Sequence, residues 1–156
     1  MDIVNALTQV NRDIRGLLDR LRDDHADAEA LLTRLAARLV ARDLAQRVHL
    51  DPELLAADPT MAATVRELSS VADGARLVLV EAVPTVGTSE FPAARSMLID
   101  TVVEQMTGVE TYLLPAVKRL IPSARRRQLG KLFELRRLAE LEAHGTGQGV
   151  AAPPGR

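Results

Sequence analysis

Asn11, Arg42, Gln46 and Gln105 are the residues of this chain whose types and spacing could do chemistry, because each interrupts an apolar line at helical spacing. Leu7, Asn11, Ile14 and Leu18 follow steps of four, three and four, which puts Asn11 on or beside a buried face. Leu32, Leu35 and Leu39 lead into Arg42 and Gln46, and Leu98, Thr101, Gln105, Val109 and Leu113 give Gln105 the same position. Ala72 lies on the inward line of a further segment with Asp73 beside it. These positions fall roughly mid-helix, so the polar groups can meet at one level of a bundle. A buried amide without a partner costs roughly 1–3 kcal/mol, and a domain of this size has only about 5–15 kcal/mol in total. The amides therefore need partners, and Arg42 needs an anion, a water-filled cavity or a route to solvent.

Three arrangements satisfy Arg42. Its aliphatic stem can carry the guanidinium to water, it can pair internally with Asp73 or Glu104, or it can face a pocket that receives a ligand. In the last case Arg42 binds a carboxylate or phosphate by charge-assisted hydrogen bonds while Asn11, Gln46 and Gln105 orient it. The same cavity would serve a cofactor-independent enzyme if Arg42 stabilised developing negative charge and Asp73, Glu104 or Tyr112 moved a proton. A third function class is a structural or regulatory protein whose last helix binds a partner around an inert polar core.

The rest of the composition excludes more than it offers. With no cysteine, disulfides, iron–sulfur clusters and thiol catalysis are absent. The net charge of −1 and an aromatic content of 2% leave neither a phosphate-neutralising surface nor a stacking platform, so nucleic acid is not an expected partner. Arg125, Arg126, Arg127, Arg136 and Arg137 are interleaved with Glu134, Glu140 and Glu142 and read as a solvated helical face. His25, His49 and His144 fall at a turn, a helix end and a tail boundary, and Asp23, Asp24 and Asp27 read as turn and capping residues. No apolar run approaches the roughly 20 residues that span a bilayer, and no leader is visible, so a cytoplasmic protein is expected.

Positioning these residues requires helices, and the periodicity is helical almost everywhere. The expected helices run from about Asp2 to Asp23, Asp27 to Leu50, Asp58 to Pro84, Pro92 to Leu120 with a kink at Pro115, and Ser123 to about Ala143. Long helices joined by short loops imply an all-α fold, an up-down-up-down four-helix bundle with an appended fifth helix over residues 1–144. Residues 145–156, rich in Gly and Pro, read as a disordered tail. Leu129, Leu132, Phe133, Leu135, Leu138 and Leu141 exceed one apolar stripe, a surplus that can pack on the bundle or on a second subunit, which leaves a homodimer as one expectation.

The same positions carry a family resemblance. The opening Asp2-Ile-Val-Asn-Ala-Leu-Thr-Gln-Val-Asn-Arg-Asp resembles the first helix of hemerythrin-like (HHE cation-binding) domains, where an Asp-His pair stands in place of Val10-Asn11. The family's second-helix motif of His, Glu and Leu-Tyr-Pro is similar here to Arg42, Gln46 and Leu50-Asp51-Pro52. Its repeat on the fourth helix is similar to Gln105, Val109 and Leu114-Pro115, and its helix-three histidine falls on Ala72 or Asp73. The resemblance covers roughly residues 2–140 and implies a bundle fold. It also implies a di-iron centre, for which this chain offers amides, a guanidinium and aliphatic groups where imidazole and carboxylate donors are required. The expectation is a metal-free bundle, without cofactor, that binds a small polar or anionic molecule in the vacated cavity.

Overall fold

The computed structural model describes the backbone of residues 1–150 and the side chains up to residue 145. Helices α1 (Ile3–Leu21), α2 (Ala28–His49), α3 (Asp51–Ala57), α4 (Ala62–Ala82), α5 (Phe91–Gly108), α6 (Leu114–Leu120) and α7 (Ser123–Val150) follow in order. Single 3-10 turns at Pro59–Met61 and Val83–Thr85 lead into and out of α4, and a π-helical turn, Val109–Leu113, joins α5 to α6. No strand occurs among the described residues. No helix among them is long and apolar enough to cross a membrane.

The helix starts follow from local chemistry. The carboxylates of Asp2, Asp27 and Asp58 accept the backbone N–H groups of Val4, Ala30 and Thr60 at 2.8, 3.1 and 3.0 Å, satisfying donors that a helix start leaves unpaired. The apolar stripe of α1 is buried along its whole length, from Ile3 through Leu7, Val10, Ile14 and Leu18 to Leu21. The inward line of α4 is likewise Leu68, Ala72, Ala75, Leu79 and Ala82. On α2 the line Leu32, Leu35, Leu39, Arg42 and Gln46 is buried together with Ala41 and Ala45, while Val48 near the helix end is 45% exposed. Before α5, Gly87 adopts φ +80°, a conformation that a side chain disfavours.

Pro115 shapes the chain differently from a simple kink. It has no N–H to offer, and its ring crowds the carbonyl four residues earlier. The helix widens just before it, and the Leu114 N–H reaches back five residues to the Val109 carbonyl. α2 ends just before Asp51-Pro52, as expected, and that pair also starts a further, unexpected helix, α3, with the proline in its first turn.

α1 packs on α2, α4 packs on α5, and α2 and α1 touch α4 and α5 respectively. α7 is more than an appendage, because it lies along both α2 and α1 and places Leu129 and Phe133 in the core. Arg126 of α7 binds the Asp2 carboxylate at 2.8 Å and also caps the Lys118 and Ile121 carbonyls at 3.1 Å. The outward face of α7 leaves Leu132, Leu135 and Leu138 exposed. The backbone of α7 continues past Gly145 to Val150, and the remainder of the expected tail, residues 151–156, lies outside the described residues.

Gly130 is where α7 crosses the start of the chain, since a Cβ there would sit 1.9 Å from the Met1 carbonyl oxygen. Gly130→Ala should therefore destabilise the protein by about 1–3 kcal/mol through overpacking. Gly74→Ala, within α4 where a Cβ meets nothing within 4 Å, should stabilise it by about 0.5–1 kcal/mol through helix propensity. Urea denaturation of the two variants checks the contrast; equal effects would mean that α7 does not press on the N-terminus.

Candidate functional site

Arg42 is buried to 1% exposure and is held from several helices at once. Its Nη1 donates to Asn11 Oδ1 of α1 at 3.2 Å, and its Nη2 donates to Gln105 Oε1 of α5 at 2.6 Å. Its Nε and Nη2 both donate to Oδ1 of the adjacent Asp43, at 3.1 and 3.0 Å. Asn11 passes the network on, its Nδ2 donating to Glu110 Oε1 at 3.2 Å. Glu110, on the π-helical turn, is gripped by both terminal nitrogens of Arg15 at 2.7 and 2.9 Å. The hydrogen bonds from Arg15, with a second contribution from Asn11, hold its carboxyl below the ordinary glutamate range against the opposing effect of burial.

A second small cluster adjoins this one. Gln46 Nε2 donates to Asp51 Oδ1 at 3.3 Å, and burial pushes the Asp51 carboxyl up to about 6. Asp43 is only 4% exposed, and its Oδ2 has no hydrogen-bond partner; Arg76 Nε stands 3.9 Å away. Asp43, Gln46, Asp51, Ser69, Ala72 and Gln105 surround a crevice of about 10 Å³. That is room for about one water, whereas small organic ligands occupy pockets of roughly 300–1,000 Å³.

Asn11, Arg42, Gln46 and Gln105 are thus brought to one buried level, and Ala72 is the α4 residue that faces it. The layer expected to be open to a ligand is instead filled by its own side chains. The proposed counter-charges for Arg42 are also corrected. Asp73 lies on the surface with its side chain 55% exposed, paired with Arg47 at 2.7 Å and with Arg76. Glu104 is exposed as well. The partner is Asp43, a neighbour in sequence that a helix directs about 100° away. The long arginine stem folds back to reach it, which the rule that adjacent helical side chains do not face each other conceals. The roles of Glu110 and Arg15, and the pairing of Asp51 with Gln46, are likewise not legible in the sequence; the only hint of Arg15 is its place one turn after Asn11.

The remaining candidates serve structure. Asp27 caps α2, Asp23 accepts the His25 N–H at 2.9 Å, and Asp24 pairs with Arg95 at 2.8 Å. In the basic run, Arg125 pairs with Glu53 and Arg126 with Asp2, while further along α7 Arg136 pairs with Glu140 and Arg137 with Glu134. His25 is exposed in its turn. Among the described residues no group of three or more His, Cys, Asp or Glu is placed to hold a metal ion. The donor set of the polar layer, amides around a permanent cation, does not fit a di-iron centre.

Space for a ligand lies on the outside of the α4–α5 pair. A groove of about 530 Å³ runs between them, with Glu67, Leu68 and Val71 on one wall and Glu104, Thr107 and Tyr112 on the other. Tyr112, expected to reach the core, is 65% exposed and lines this groove with Glu104. Leu68 separates the groove from the crevice, since it lines both. It lies so close to Gly108 that a Cβ there would stand 2.9 Å from Leu68 Cδ2. Comparison with known protein families, curated proteins and solved structures finds no match to this chain.

Two outcomes follow from the buried charges. Arg42→Met leaves Asp43 buried without its cation and should cost about 3–5 kcal/mol, whereas Arg42→Met with Asp43→Leu should regain most of that loss. Urea midpoints of the single and double variants decide it. Asp51 holds its proton more tightly in the folded chain, so its ionisation opposes folding. Stability falls as pH rises from the ordinary aspartate value of 3.8 to about 6. Asp51→Asn should melt with the parent at pH 4 and above it at pH 7.5, by up to about 3 kcal/mol; melting curves at both pH values check this.

Proposed function

We propose that this chain is a metal-free, hemerythrin-like bundle that acts as a small-molecule-binding module. In this reading α1, α2, α4 and α5 form the up-down-up-down bundle, with α7 laid against α1 and α2. The observation that carries it is Arg42, 1% exposed at the level where the resemblance puts metal ligands, ion-paired with Asp43 and hydrogen-bonded to the amide oxygens of Asn11 and Gln105. A guanidinium supplies a fixed positive charge there and repels the metal ions it replaces. With the core closed to anything larger than about one water, a polar ligand is received in the groove between α4 and α5, whose volume of about 530 Å³ suits a small molecule.

A cofactor-independent enzyme is the second reading, favoured by Glu104 and Tyr112 lining one groove. It loses weight because the other proton-moving and charge-stabilising candidates, Asp73 and Arg42, are committed to ion pairs elsewhere. The proposal places the protein in the cytoplasm, without nucleic acid or membrane partners. It assigns self-association to the exposed Leu132, Leu135 and Leu138 of α7.

Metal analysis tests the central point. After expression in iron-rich medium, and again after anaerobic incubation with ferrous salt, the purified chain should hold far less than one iron per molecule and show no visible absorbance. Near-stoichiometric iron would overturn the proposal.

A further inference from the structure

α7 carries apolar residues on two faces. Leu129 and Phe133 lie in the core, and Gly130 lets the helix press on the start of the chain. On the far side Leu132, Leu135 and Leu138 are 39, 67 and 53% exposed, although leucine is among the residues most often buried. Lys131, Leu135, Leu138 and Glu142 follow steps of four, three and four, the spacing of the contact line in a two-stranded coiled coil. Arg136, Arg137 and Glu140 share the side of Phe133, are half-buried, and belong to the pairs Arg136–Glu140 and Arg137–Glu134 within the helix.

The outer face is self-complementary. Leu135 and Leu138 stand at equal distances on either side of the midpoint between Arg136 and Arg137. So do Leu132 and Leu141, and so do Lys131 and Glu142, a cation and an anion. A two-fold axis through that midpoint, perpendicular to the helix, lays leucine on leucine and each charge on its opposite. A parallel pairing would set Lys131 on its own copy and Glu142 on its own copy, and like charges repel.

We propose that α7 is the interface of a homodimer in which two copies of the helix pack antiparallel. Leu135 of one protomer meets Leu138 of its partner, and Lys131 meets Glu142. The inference rests on the self-association assigned above to these leucines and gives it a direction and a register. The leucine layers exclude water, while a charged residue on the contact line costs stability and fixes the alignment.

Sedimentation velocity of the full chain, from micromolar to millimolar concentration, should show a monomer–dimer equilibrium. Leu135→Lys with Leu138→Lys should weaken it at least tenfold and leave the monomer folded, since both side chains lie outside the core. At low salt Lys131→Glu should weaken it about threefold to tenfold, and adding Glu142→Lys should restore it. The chain has no cysteine, so introduced ones report the geometry directly. A mixture of Lys131→Cys and Glu142→Cys chains should cross-link on oxidation, and neither chain should do so alone. In the antiparallel pair the two copies of residue 131 lie about 16 Å apart along the helix, whereas a disulfide requires Cα atoms within about 7 Å. Cross-linking of either chain with itself would overturn the register while leaving self-association in place. A monomer at every concentration, or a dimer untouched by the leucine changes, would overturn the interface; the metal-free reading would still stand or fall on its iron content. If removing residues 151–156 turned such a monomer into a dimer, the chain's own end would be the occupant of this face in place of a second copy.

Discussion

A guanidinium held away from water is the constraint around which the interior of this protein is arranged. Arg42 cannot lose its charge, and left unpaired at 1% exposure it would cost a large share of the stability a small domain possesses. Acceptors must therefore arrive from different helices at one level. Asn11 comes from α1, Asp43 from α2 itself and Gln105 from α5. Each acceptor fixes the rotation and height of its helix as tightly as an apolar contact would. Beyond them, the Arg15–Glu110 pair completes the amide of Asn11 and ties α1 to the π-helical turn.

This arrangement divides the protein into an interior that is closed and a surface that is not. A crevice of about 10 Å³ remains beside Asp43, while the α4–α5 groove offers about 530 Å³ on the other side of Leu68. The polar layer acts through direction, because buried polar groups admit few alternative pairings, whereas apolar neighbours tolerate many. The groove has the opposite character: its carboxylates and hydroxyls face water and are free to exchange partners. On the proposed reading, recognition belongs to the outer face of α4 and α5, where such groups line the groove.

The charged residues follow the same division. Arg125, Arg126, Arg136 and Arg137 are matched one by one with acids, two of them across elements. α7 is thereby fastened to α3 and to the start of α1, and Phe133 and Leu129 make it part of the core. A helix that looks appended in one dimension is needed to cover α1 and α2.

The primary structure by itself determined the long helical stretches, though not α3 or the π-helical turn, and the burial of Asn11, Arg42, Gln46 and Gln105, because a period of 3.6 residues and the residue types at chain turns are local properties. The stripes of α1 and α4 are legible for the same reason. What only the tertiary structure decided is which group meets which. Ala72 faces the layer and Asp73 does not, Asp43 neutralises Arg42, and Glu104 with Tyr112 turn outward to a groove. A helix assigns each residue an angle, but the roll of one helix against another, the reach of a flexible arginine and the extra residue admitted by a π-helical turn lie outside that local code. They are settled only when the core packs and the buried charge finds its acceptors.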